Sequence, residues 1–203
     1  MNESVLGLLL AGGQSRRMGG GDKCLRELAG KTLLQRIVER IRPQVGRLVL
    51  NANGDPARFA AFDLPIVEDV VDGFAGPLAG ILTGLRWAQR EAPQCCWVLS
   101  VPTDAPFLPL DLVARMLNAV EDGKAELACA FSNGRTHPVV GLWRVDLADA
   151  LEVALVKEDV RKIDRWTARY RLATVEFDAN PIDPFFNTNR PEDLAEAARL
   201  LAP

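Results

Sequence analysis

The residues best suited to chemistry stand close to the amino terminus. Leu10-Ala11-Gly12-Gly13-Gln14-Ser15-Arg16-Arg17-Met18-Gly19-Gly20-Gly21-Asp22-Lys23 places five glycines in the ten positions 12–21 and adds three cations, Arg16, Arg17 and Lys23, against Asp22 alone. Glycines lack a Cβ, so backbone N–H groups there can approach an anion closely. Backbone donors with cations at a strand end are the donor set a triphosphate requires. The loop is not one of the common phosphate cradles. A G-x-G-x-x-G run is absent, and Gly30-Lys31-Thr32 would end a Walker A loop only with glycine at position 25, where Leu25 stands. Gly30-Lys31-Thr32 reads instead as a turn into the second element.

A second candidate is Asp104 in Val101-Pro102-Thr103-Asp104-Ala105-Pro106. The flanking prolines stiffen the backbone and remove competing donors. A rigid carboxylate at a strand end suits Mg2+, which takes one or two carboxylates together with phosphate oxygens; an Asx-turn is the plainer alternative. A third is Phe185-Phe186-Asn187-Thr188-Asn189-Arg190-Pro191, a strand end leading into a capped helix, where Asn187 and Asn189 could serve only the turn. The single histidine, His137 in Arg135-Thr136-His137-Pro138, has no cysteine or serine at a spacing that marks a nucleophile–base pair and reads as structural.

These residues need elements to position them. Val5–Ala11 is a short apolar run ended by Gly12-Gly13, as suits a strand buried on both faces. Lys31–Arg42 carries apolar residues at 33, 34, 37, 38 and 41, a helical stripe stopped by Pro43. Strands are expected at 48–50, 65–67, 95–101, 127–131, 139–143 and 172–177. Helices are expected at 56–62, 77–91, 112–120, 146–156, 160–166 and from Pro191 onward, with Pro77 at a first helical position. Parallel neighbours require such crossovers. The alternation predicts an α/β fold: one three-layer, doubly wound, mostly parallel sheet over residues 1–203. Ligands of such sheets bind beyond the carboxyl ends of the strands. That makes Gly12-Gly13, Asn51, Asp69 and Asp104 the informative polar strand ends.

The bulk properties fit. The chain has 203 residues, 48% hydrophobic and 25% charged, with a formal net charge of −3. Such a balance offers no global footprint for a nucleic acid but permits a local anion site. Cys24, Cys95, Cys96 and Cys129 form no C-x-x-C pair and read as reduced thiols of a cytoplasmic protein. The apolar start is too short to span a membrane and lacks a positive n-region, so no membrane association is expected.

In their order along the chain these segments resemble the molybdenum cofactor guanylyltransferases, the MobA family. LLLAGGQSRRMGGGDK carries the most specific likeness. Asn51-Ala52-Asn53, Val67-Glu68-Asp69, Gly76-Pro77-Leu78-Ala79-Gly80, Pro102-Thr103-Asp104, Arg135-Thr136-His137-Pro138 and Phe186-Asn187-Thr188-Asn189 follow in sequence. The Gly12-Gly13 pair is more like the guanylyl branch than the cytidylyl branch, which tends to have Ala-Ala-Gly. The resemblance implies a Rossmann-like nucleotidyltransferase fold and transfer of GMP from GTP to molybdenum-molybdopterin, giving the guanine dinucleotide cofactor and pyrophosphate. By motif match, Leu10, Ala11, Gly12, Gly13, Lys23, Asn51, Asp69 and Asp104 would bind nucleotide, Asp104 would hold Mg2+, and Lys23 and Arg16 would act with Asp104 in catalysis; Arg17 adds charge. Molybdoenzyme apoproteins or their chaperones are the implied protein partners. A related nucleotidyltransferase using CTP or a sugar-phosphate acceptor is the alternative. Two departures stand out: Cys24 after the lysine, and Arg190 where a threonine cap is usual.

Overall fold

A computed structural model describes residues 2–12, 22–71, 73 and 76–201. Gly13, Arg16 and Arg17 therefore lie outside the described residues. Nine strands and six α-helices are found among those described. In chain order they are β1 (Asn2–Leu10), β2 (Glu27–Leu28), β3 (Lys31–Thr32), α1 (Leu33–Ile41), β4 (Val45–Asn51), β5 (Ile66–Val67), α2 (Pro77–Glu91), β6 (Trp97–Pro102) and α3 (Leu112–Asp122). They continue with β7 (Leu127–Ser132), β8 (Arg135–Arg144), α4 (Ala148–Val156), α5 (Ile163–Thr167), β9 (Leu172–Glu176) and α6 (Pro191–Leu201).

Seven strands form one sheet in the order β5-β4-β1-β6-β8-β7-β9. β5, β4, β1 and β6 run parallel, β8 is antiparallel to both its neighbours, and β9 is parallel to β7. The expected mostly parallel, doubly wound sheet is present. The alternation along β1 divides its two faces. Val5 and Leu9 pack with Leu34, Ile37 and Ile41 of α1 and Met116 of α3. Leu6 and Leu8 pack with Ile81 and Leu85 of α2, Leu151 of α4 and Trp166 of α5. Helices thus cover both faces, giving the three layers. None of the described helices is long and apolar enough to cross a membrane.

Several boundaries differ from the sequence-based expectation, and two of the differences have a clear physical reason. Lys31 and Thr32 belong to a small hairpin with β2, turned by Ala29 and Gly30 at φ 47° and 77°. Helix α1 starts only at Leu33, where Thr32 and Gln35 cap each other's backbone N–H groups. Strand β8 begins at Arg135 rather than at 139. It accommodates Pro138 because the register slips there: Cys129 pairs with Gly141 and the next residue, Ala130, with His137. Residues 138–140 bulge out of the β7 ladder, so the missing proline N–H costs that pairing nothing. The helix expected at 160–166 is confined to Ile163–Thr167.

Candidate active site

The carboxyl edge of the sheet is level. Leu10 of β1 pairs with Asn51 of β4 on one side and Pro102 of β6 on the other, and Asn51 pairs with Val67 of β5. Two residues beyond this row stand Gly12, Asn53, Asp104 and Asp69. All four line a cleft of about 790 Å3, together with Leu10, Lys23, Asn51 and the start of α2 at Gly76-Pro77. That volume lies in the range of small-molecule sites.

At the β6 end, the Lys23 ammonium sits 2.5 Å from Asp104 Oδ2 and 2.6 Å from Asn189 Oδ1. The lysine and aspartate side chains are 13% and 21% exposed, so the pair is largely shielded. The other carboxylate oxygen, Asp104 Oδ1, is buried with no hydrogen-bond partner among the described residues. An unpartnered buried carboxylate oxygen is costly, and it suits a divalent cation better than an Asx-turn. The tail segment is tied to this corner: Thr188 donates to the Asp104 carbonyl through its N–H (2.9 Å) and its hydroxyl (3.1 Å). Thr103 donates to the Leu10 carbonyl, stitching the Asp104 loop to β1.

At the β5 end, Asp69 is held by neutral amides. Asn51 Nδ2 donates to Asp69 Oδ1 at 3.0 Å and Asn53 Nδ2 to Asp69 Oδ2 at 2.9 Å. Asn51 is buried against the second turn of α2, where a Cβ on Gly80 would collide with its Oδ1. Arg58 links the two ends along the rim, through Asp22 Oδ1 (3.0 Å) and the Asn53 carbonyl (2.6 Å).

Leu10, Gly12, Lys23, Asn51, Asp69 and Asp104 are therefore brought together as expected. Ala11 differs: it is buried in the core, and its N–H is spent on the Asn51 carbonyl. Asn189, which the sequence offered only as a turn residue, and Asn53, to which it assigned no role of its own, also reach the site. Asn189 is more than a turn residue, because its side chain meets Lys23. Cys24 after the lysine is a buried core thiol, pushed up to about 11 by burial and then by Asp22, and is inert at neutral pH. The helix α6 cap that Arg190 put in question is supplied from within the helix. Asp193 Oδ2 accepts from the backbone N–H of both Asn189 and Arg190 at 2.8 Å.

His137 does have a serine partner. Ser132 Oγ lies 2.8 Å from His137 Nε2 and donates to Asp183 Oδ1 at 2.7 Å. A hydroxyl has one hydrogen, and the carboxylate takes it, so His137 Nε2 must be the donor to Ser132. Ser132 is fully buried, and the imidazole packs on Phe185, 4.7 Å between centroids. Burial, then Arg135, holds the His137 pKa below its ordinary value. The cluster ties β8 to the tail and lacks an exposed nucleophile.

A charged pair at one end of a cleft that crosses four parallel strand ends, and a carboxylate held by amides at the other, give this α/β protein a site suited to a small phosphorylated ligand. The comparisons agree. The model for the MobA-like NTP transferase domain matches residues 7–174, and the chain belongs to that family. A molybdenum cofactor guanylyltransferase of Bradyrhizobium sp. (strain ORS 278) is 58% identical over 199 residues, 98% of this chain and 94% of that one. The crystal structure of molybdopterin-guanine dinucleotide biosynthesis protein A from Archaeoglobus fulgidus superposes with a TM-score of 0.74 at 22% identity, covering 96% of this chain and 97% of that chain. A Mycobacterium tuberculosis H37Rv protein solved as a complex with manganese shares the fold, with a TM-score of 0.66 at 17% identity over 98% of this chain and all of that one.

Proposed function

We propose that this chain transfers GMP from GTP to the terminal phosphate of molybdenum-molybdopterin, forming the guanine dinucleotide cofactor and releasing pyrophosphate. The observation that carries the choice of base and acceptor is the 58% identity, over nearly the whole chain, to a molybdenum cofactor guanylyltransferase. The site supports the same chemistry. A phosphate monoester is already anionic near neutrality, so its oxygen can attack the α-phosphorus without a general base. That oxygen forms the new P–O bond as the bond to the β-phosphate oxygen breaks, and both electrons leave with pyrophosphate. The obstacle is charge, since one anion must approach another.

Asp104 would hold Mg2+, with Oδ1 the unpartnered donor and phosphate oxygens completing the shell. The metal, when bound, supplies Lewis-acid stabilisation of the phosphate charge. Lys23 would move from Asp104 to the leaving pyrophosphate, where its charge counts most as the bond breaks. Arg16, with Arg17, would add positive charge from the loop. Gly12 and Gly13 would give backbone approach to the phosphates, and Leu10 and Ala11 would form the floor beneath. Asn51 and Asp69 would meet the nucleoside. The whole of residues 1–203 would act as one domain, since β7, β8 and β9 continue the sheet that carries the site.

The test is incubation with Mg2+, a nucleoside triphosphate and molybdopterin-loaded acceptor. Dinucleotide cofactor and pyrophosphate are expected in equal amounts with GTP. Product with CTP in place of GTP would move the chain to the cytidylyl branch. Product only with a sugar phosphate would overturn the acceptor.

A further inference from the structure

We infer that Asn53 is a positioning residue for base selection, which acts by orienting Asp69 toward the Watson–Crick edge of guanine. The inference rests on the guanylyl reading above and adds a group that reading does not use.

The register of the sheet is the first observation. Across the level row Val67–Asn51–Leu10–Pro102, the positions two residues further on are Asp69, Asn53, Gly12 and Asp104. Three of these are nucleotide-site candidates in their own right. Asn53 is the fourth member of the row and lines the same cleft. Successive positions two apart along extended chain share a side.

The second observation is how Asn53 spends its amide. Its Nδ2 donates to Asp69 Oδ2 at 2.9 Å, and its Oδ1 accepts from the Asp69 backbone N–H, also at 2.9 Å. Both ends of one planar group thus grip one residue. The backbone contact fixes which end is oxygen, because an N–H can be met only by the acceptor. The chain just beyond is anchored separately, as Val70 N–H donates to the buried Thr83 hydroxyl at 3.0 Å. With Asn51 on Oδ1 and Asn53 on Oδ2, each oxygen of Asp69 accepts one neutral N–H and keeps acceptor capacity to spare. Two neutral donors leave the carboxylate an acceptor-only anion, which rewards a ligand edge carrying two N–H groups.

The third observation is distance across the sheet. Asp69 extends β5 and Asp104 extends β6, three strand spacings apart in the order β5-β4-β1-β6. At roughly 4.8 Å per spacing this is about 14 Å. Ribose hydroxyls lie only a few bonds from the α-phosphorus. The far edge of a purine lies further by the sugar and two fused rings. A nucleotide with its phosphates at Asp104 therefore brings its base edge, rather than its ribose, to Asp69. Guanine presents N1–H and the 2-amino group side by side there. Adenine and cytosine each present a ring-nitrogen acceptor in the corresponding place, which a carboxylate repels.

The test is equilibrium binding of GTP, ITP, CTP and inorganic tripolyphosphate, each with Mg2+, to the full chain and to its Asn53→Ala and Asn53→Asp variants. ITP lacks only the 2-amino group, and tripolyphosphate lacks the nucleoside. We expect the full chain to favour GTP over ITP by about tenfold or more, the scale of one hydrogen bond to a charged group. Asn53→Ala should compress that ratio to a few-fold while tripolyphosphate binds as before. Asn53→Asp keeps the acceptor for the Asp69 N–H but sets carboxylate against carboxylate, so its GTP affinity should fall below that of Asn53→Ala. An unchanged GTP/ITP ratio in Asn53→Ala would overturn the inference. Equal losses for GTP and tripolyphosphate would also overturn it, by making Asn53 a general structural support. Equal binding of GTP and ITP by the unaltered chain would remove Asp69 from the base edge. A preference of the unaltered chain for CTP would instead overturn the guanylyl reading beneath it.

Discussion

The two ends of the cleft are built on opposite electrostatic plans. At the β6 end a cation and an anion neutralise each other, Lys23 against Asp104, with Asn189 as a third partner. At the β5 end an anion is held by neutral amides, Asp69 between Asn51 and Asn53. If the β6 end accepts phosphate and metal as proposed, it needs charges that can be redistributed when the ligand arrives. An end that must distinguish one base from another needs a fixed acceptor pair, because discrimination comes from leaving the site's own groups unpaired with the wrong ligand.

The largest effect belongs to Asp104. Asp104→Asn should lower turnover on the order of a hundredfold or more, the scale of losing a preorganised charge at a phosphoryl-transfer centre. The stability change should stay at about 1 kcal/mol, since the amide oxygen can still accept from the Lys23 ammonium, and the buried atom opposite changes from a charged oxygen to a neutral Nδ2. Steady-state kinetics over a Mg2+ series and thermal melts would check both. An unaltered magnesium dependence would remove Asp104 as the metal ligand.

Lys23→Ala comes next. Turnover should fall more than GDP affinity does, because the ammonium acts on charge that develops at the leaving group. Equal losses in the two would make Lys23 a plain binding residue and erase the contrast between the ends.

Asp69→Ala is expected to cost about tenfold in GTP use together with loss of preference over ITP and CTP, read from kcat/KM with each nucleotide. Reduced GTP use with intact preference would move Asp69 to the ribose.

The smallest effect lies away from the cleft, at His137. Its pKa is held below the ordinary value, so the unfolded chain binds the proton more readily than the folded one. Stability is therefore full above the ordinary histidine pKa of 6.5 and declines as pH falls from there toward the lower folded value. His137→Gln should flatten that part of the denaturation profile and leave turnover nearly unchanged. A large loss of turnover with normal stability would give the Ser132–His137–Asp183 cluster a catalytic role.

Much of this was legible in the residues. Glycines and cations after the first buried strand pointed to the carboxyl edge of the sheet, where Gly12 and Lys23 line one cleft. Asp104 was visible through its two prolines. The sheet followed from alternation of apolar runs and helical stripes, since a buried parallel strand leaves a continuous apolar signature. The contact of Asn189 with Lys23 was not legible, because it joins residues 166 apart and only the folded tail brings them together. Asn53 was hidden differently. Its importance comes from strand register, which a single sequence states only through pairing partners. The β2–β3 hairpin has strands of two residues, too short to show any period. The first residues of β8 are hidden in the sequence because Pro138 interrupts them, and the bulge that accommodates the proline depends on pairing with β7.

A crystal structure of the chain with Mg2+ and GTP tests the central claim most directly. The α-phosphate is expected beside Asp104, and the guanine N1–H and 2-amino groups within about 3.2 Å of the two Asp69 oxygens. A nucleotide lying the other way along the strand ends, or with its ribose hydroxyls on Asp69 and its base elsewhere, would contradict it.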